Sequence, residues 1–129
     1  MAVTVEVANR SGAALPRAEA VRLARGVLSA EGIDDGELGI SFVGPDEMRG
    51  LKRDHLGVDE PTDVLAFPVD RLDEVPEGVP RQLGDVFLCP QVIGSEWRAP
   101  LVHALLHLLG YEHGREMEAR ESAYEAARA

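Results

Sequence analysis

Residues 103–113 read His-Ala-Leu-Leu-His-Leu-Leu-Gly-Tyr-Glu-His and hold three of the four histidines of the chain. From Leu101 to Leu109 seven of nine positions are apolar, and the other two are His103 and His107. A helix of that composition has no wide polar face to give to water, so it must run through the centre of a fold, covered on most sides. The two imidazoles stand four residues apart and so lie one above the other on a single helical face. Gly110 can take a positive φ and end the helix, turning the chain back so that His113 reaches the same point. Three neutral imidazole nitrogens with a fourth position open describe a catalytic zinc site rather than a closed structural one. Burying the rings without partners would cost several kcal/mol, and a single shared metal ion removes that cost.

The elements needed to cover this helix can be read along the chain, whose 129 residues make a single domain spanning 1–129. Thr4 to Val7 alternate polar and apolar as a strand does. Pro16 opens a helix through Ala30, with Val21, Leu23, Ala24, Val27 and Leu28 on its apolar side and Glu31-Gly32 at its end. Glu37 to Val43 reads as a strand, and Asp46 as the cap of a short helix reaching Arg53. Val64 to Val69 is a third strand, and Pro68 places it at a sheet edge or strand end. The acidic, proline-containing stretch 70–82 is an exposed connection to a fourth strand, Leu83 to Leu88, with which Val64–Val69 forms a hairpin. A turn or short helix follows from Pro90 to Trp97, with Trp97 in the core, and a surface helix from Glu116 to Arg128 closes the chain. The expected class is α/β with α+β character: a small mixed four-stranded sheet packed with helices around a central apolar zinc-binding helix.

Charge narrows the partners. Thirteen bases against 23 acids give a net charge of −10, which opposes a polyanion unless a local basic patch exists. The first 58 residues are the milder half, with seven bases to nine acids. There Arg49, Lys52 and Arg53 form one cationic helix face. No apolar run approaches the roughly 18 residues of a spanning helix, and the single Cys89 fits a reducing compartment, so the expectation is a cytoplasmic chain without membrane contact.

The spacing of the histidines and glycine matches the zinc helix of metzincin proteases, yet Ala104 stands where those enzymes carry the glutamate base. Peptide hydrolysis through that base is excluded, leaving a hydrolytic metal centre whose base comes from elsewhere. The segment also resembles the YbeY family of rRNA maturation factors, whose helix reads H-G-x-L-H-L-x-G-Y-D-H, and departs from it only at Ala104 and Glu112. Residues 61–68, P-T-D-V-L-A-F-P, are similar to that family's P-T-D-V-L-S-F-P, and residues 83–86, L-G-D-V, to its L-G-D-I. The resemblance implies an endoribonuclease specific for single strands that uses one Zn²⁺ per chain. It implies action in maturation of small-subunit ribosomal RNA and in ribosome quality control, with single-stranded ribosomal RNA and the small subunit as partners. His103, His107 and His113 would be the metal ligands. The family commonly has arginine ahead of a glycine before P-T-D; here Leu56 precedes Gly57, and Arg53 lies three residues earlier.

Arg53 and Glu112 are therefore the candidate catalytic groups, and Arg49, Lys52, Arg53, Thr62 and Asp63 the candidate substrate-binding residues. Asp85, a carboxylate at the start of a strand, is expected to hydrogen-bond near the site. Leu56 at the family's arginine position favours an alternative that the resemblance allows, a zinc-stabilised ribosome assembly factor of weak activity, and the histidine pattern by itself also fits a metal-dependent hydrolase of another substrate.

Overall fold

The computed structural model describes residues 3–57, 63–69, 81–94, 96–112 and 114–128. Thr62, His113 and most of the acidic connection fall outside them. The described elements are β1 (Val3–Asn9), α1 (Arg17–Ala30), β2 (Gly36–Phe42), α2 (Pro45–Leu56), β3 (Val64–Pro68), β4 (Gln82–Leu88), α3 (Pro90–Ile93), α4 (Arg98–Leu108) and α5 (Arg115–Arg128). The strands form one mixed sheet in the order β1-β2-β4-β3. β1, β2 and β4 run parallel, while β3 pairs antiparallel with β4, Val64 opposite Leu88 and Pro68 opposite Gly84. Pro68 thus ends the edge strand, where its missing N–H interrupts no ladder.

Alternation along the strands decides which face meets the helices. Leu38, Ile40 and Phe42 of β2 and Val86 and Leu88 of β4 are buried, whereas Glu37 and Asp85 are exposed. The buried set joins Ala20, Ala24, Val27 and Leu28 of α1 and Leu101, Val102, Leu105, Leu106 and Leu108 of α4 in one core. α4 contacts β3, β4, α1 and α5, the central position its apolar composition requires. Trp97, just before it, is buried edge-on against Phe42, with ring centroids 5.7 Å apart. Arg98 opens α4 by stacking over the Trp97 ring and pairing with Glu19 of α1 at 2.5 Å, which fastens α4 to α1.

A smaller cluster, Val43, Met48 and the buried Cys89, packs with Leu65 and Phe87. These last two alternate with core residues of their strands, so the cluster holds α2 to the opposite face of the sheet. The start of α2 corrects the expected cap. Gly44 occupies the cap position and Pro45 the first helical one, where its fixed φ suits the helix and its missing N–H costs nothing, so Asp46 falls within the first turn. The helix also runs past Arg53 to Leu56, and ends at Gly57, whose φ of 74° is left-handed and whose N–H reaches the Arg53 carbonyl at 2.9 Å.

Candidate metal centre

The end of α4 builds half of the site. Gly110, at φ 100°, donates its N–H to the His107 carbonyl at 3.0 Å, and Tyr111 donates to the Leu106 carbonyl at 3.0 Å. This paired closure is a Schellman motif, which only a residue tolerant of positive φ completes without strain. It returns the chain over the last turn of α4. There the Tyr111 carbonyl accepts the Nδ1–H of His107 at 3.0 Å.

α5 builds the other half. Glu121 accepts the Nδ1–H of His103 at 2.9 Å, across 18 residues of sequence. Because a carbonyl and a carboxylate only accept, both rings carry their proton on Nδ1. Both Nε2 atoms then turn lone pairs inward, and they face one another 3.1 Å apart with the rings nearly perpendicular. Two such lone pairs repel unless a cation sits between them. Nitrogen ligands about 2.0–2.1 Å from a tetrahedral zinc stand roughly 3.3–3.4 Å apart, so the pair fits a shared zinc with a shift of a few tenths of an ångström.

The two histidines open into a cleft of about 680 Å³ floored by Val64, Leu65 and Ala66 of the edge strand, with Asp63 and Glu121 as its carboxylates. Ala104, beside the rings in the same cleft, is 1% exposed, and a side chain at that position is fully occupied by packing. Asp63 lines the cleft, where its Oδ1 accepts the Val64 N–H at 2.8 Å. Arg49, Lys52 and Arg53 sit on α2 and do not line this cleft; Arg53 is more than half exposed, 3.4 Å from Asp54. Glu112 is exposed and lines a different cavity, with Glu31, Tyr111 and Glu116. Asp85 is on the sheet face away from α4, in a groove with Glu6, Glu37 and Gln82, so the expected hydrogen bond near the histidines does not form. Strand alternation accounts for it: Val86, next in line, takes the inward position.

Beneath the site a single carboxylate ties three elements together. The Glu31 side chain, 6% exposed at the end of α1, accepts from the Tyr111 hydroxyl at 2.6 Å and from the Tyr124 hydroxyl of α5, with Arg120 at 3.6 Å. Burial and the bond to Glu31 push the Tyr124 phenol up to about 12. The neutral phenol is thus favoured in the folded state. Its contribution is complete below the unfolded value of 10.0 and is lost as pH rises through about 12. Denaturant unfolding across that window is expected to show falling stability for the natural chain and a flatter profile for Tyr124→Phe; equal slopes would remove the Tyr124 assignment.

No spacing or motif along the chain points to the roles of Glu121 and Glu31. Each acts across a long stretch of chain, and it is the burial of Met117, one turn before Glu121, and the packing of Tyr124 that set α5 apart from a purely solvated helix.

Comparison with known proteins places the chain in a family. The family model described as "Endoribonuclease YbeY" matches residues 6–127. The chain belongs to that family. Relatives carrying the name "Endoribonuclease YbeY" include the protein of Halorhodospira halophila, 39% identical over 91% of this chain and 86% of its own length. That of Salinispora tropica is 36% identical over 92% and 88%, and that of Mycobacterium ulcerans 33% identical over 92% and 76%. The fold matches the solution structure of TM1509 from Thermotoga maritima with a TM-score of 0.59, at 21% identity, over 94% of this chain and 86% of that one. Among the described residues no helix is long and apolar enough to cross a membrane.

Proposed function

We propose that the chain is a cytoplasmic, zinc-dependent endoribonuclease that cuts single-stranded RNA. It acts in maturation of small-subunit ribosomal RNA and in ribosome quality control. His103, His107 and His113 hold one zinc per chain. The observation that carries this reading is the pair of inward Nε2 atoms at 3.1 Å, each ring fixed from behind through Nδ1. Family membership supplies the substrate class.

Zinc held there supplies a Lewis acid toward the scissile phosphate and a route to a nucleophile at neutral pH. The chain contributes the rest. Glu121 and the Tyr111 carbonyl hold the imidazoles in the binding tautomer. With Ala104 in place of a glutamate, proton transfer falls to a carboxylate of the cleft such as Asp63, whether the nucleophile that loses the proton is water or the 2′-hydroxyl that RNA itself brings. Glu112 and Arg53 stand away from the cleft. Arg49, Lys52 and Arg53 instead offer the local cationic face that a chain of net charge −10 needs to attract a polyanion, and Asp63 lines the cleft.

The test is cleavage of one RNA sequence presented as a single strand and as a duplex. Zinc-loaded protein is expected to cut the single strand, to stop after chelation and to resume on zinc addition, leaving the duplex intact. Cleavage that survives verified metal removal, or its absence from loaded protein, would contradict the proposal. Metal-dependent stability without cleavage would favour an assembly role.

A further inference from the structure

The two histidines are oriented by unlike means. His107 is held by a main-chain carbonyl belonging to its own helix cap, which no substitution removes. His103 is held by a side chain from another helix, Glu121 of α5, at 2.9 Å. We infer that Glu121 is the positioning residue of the metal site: through His103 Nδ1 it sets the direction of one ligand and which ring nitrogen faces His107. The inference rests on the metal reading above.

Three observations carry it. The Glu121 carboxylate meets Nδ1, the ring atom pointing away from the partner histidine, while Nε2 faces His107. A merely superficial ion pair would have no reason to select that nitrogen. The carboxylate is about two-thirds buried, matching His103, so its charge is felt more strongly than on an open surface. Finally, α5 is anchored on both sides of Glu121: Met117, one turn earlier, is 1% exposed in the core, and Tyr124, almost one turn later, donates to the buried Glu31. A side chain carried between two such anchors keeps its aim without help from the metal. Acceptance of Nδ1–H fixes the tautomer, and a negative acceptor makes the other nitrogen a better donor to a cation.

The experiment is zinc affinity by competition with a chromophoric chelator for the natural chain, Glu121→Gln, Glu121→Ala and His103→Ala. Melting temperatures of the metal-free forms are measured alongside. Glu121→Ala is expected to weaken zinc binding about 10–100-fold, the usual cost of removing a partner behind a ligand. Glu121→Gln, which keeps an accepting oxygen in the same place and loses the charge, should fall between it and the natural chain. His103→Ala should bind most weakly of the four. The metal-free melting temperatures of the Glu121 variants should stay close to that of the natural chain, separating ligand positioning from folding. If the natural chain binds zinc and Glu121→Ala binds it within about twofold, the positioning role is wrong and the metal site stands. An affinity loss that merely follows a drop in metal-free stability in both Glu121 variants would likewise reduce Glu121 to a structural contact. If the natural chain takes up no zinc, the metal reading itself fails and the inference with it.

Discussion

His107→Ala is expected to cut RNA at least about a thousandfold more slowly than the natural chain, because a metal site missing one of its ligands forfeits on the order of 4 kcal/mol of transition-state stabilisation. The fold should survive. His107 is partly exposed at the cleft, alanine is the best helix former, and the lost Nδ1–H bond to Tyr111 contributes only about 1 kcal/mol. The far-ultraviolet circular dichroism spectrum should therefore be unchanged while initial rates on a single-stranded substrate collapse. A variant cleaving within about tenfold of the natural rate would show that His107 does not hold the reacting centre together.

Gly84→Ala is expected to give the largest loss of stability. Gly84 sits at φ 138°, and a Cβ there would press on the Phe67 carbonyl oxygen and approach both the Pro68 Cα and the Leu108 Cδ2 at 3.0 Å. Two of these three neighbours are backbone atoms of the paired edge strand and cannot move aside as a side-chain tip could. The backbone strain and the overpacking together come to roughly 2–4 kcal/mol, a fall in melting temperature on the order of 10 °C for a domain of this size. Leu108 follows His107, so the displaced helix end would loosen the cleft as well. Thermal unfolding that matches the natural chain would contradict the close approach of α4 and β3 at this glycine.

That glycine shows how the sequence and the fold correspond. Its motif, residues 83–86, was legible as a pattern, while the reason for it, a crossing of β4, β3 and α4, appears only when three separate segments meet. Local signals read well because their physics is local. Gly110 ends α4 with a positive φ, Pro68 closes an edge strand, Trp97 is core, and His103 and His107 share one face. Asp46 misled because a capping side chain and a proline at the first helical position compete one residue apart, and the proline prevails. Asp85 misled because a strand's alternation, rather than its nearness in sequence to Val86, sets which face a carboxylate meets. Glu121 and Glu31 left no trace at all, since a hydrogen bond across 18 or 80 residues has no spacing to read. Arg49, Lys52 and Arg53 lie within α2, and their spacing carries no information about which side of the sheet that helix occupies.

Zinc-edge X-ray absorption of the metal-loaded chain will show whether imidazole nitrogens from the end of α4 hold one zinc ion at the cleft, as proposed. The expected spectrum has a nitrogen shell at about 2.0–2.1 Å with the outer scattering of several imidazole rings, diminished in His103→Ala. Failure of the chain to take up zinc, or a spectrum with oxygen neighbours and no imidazole contribution, would contradict the proposal.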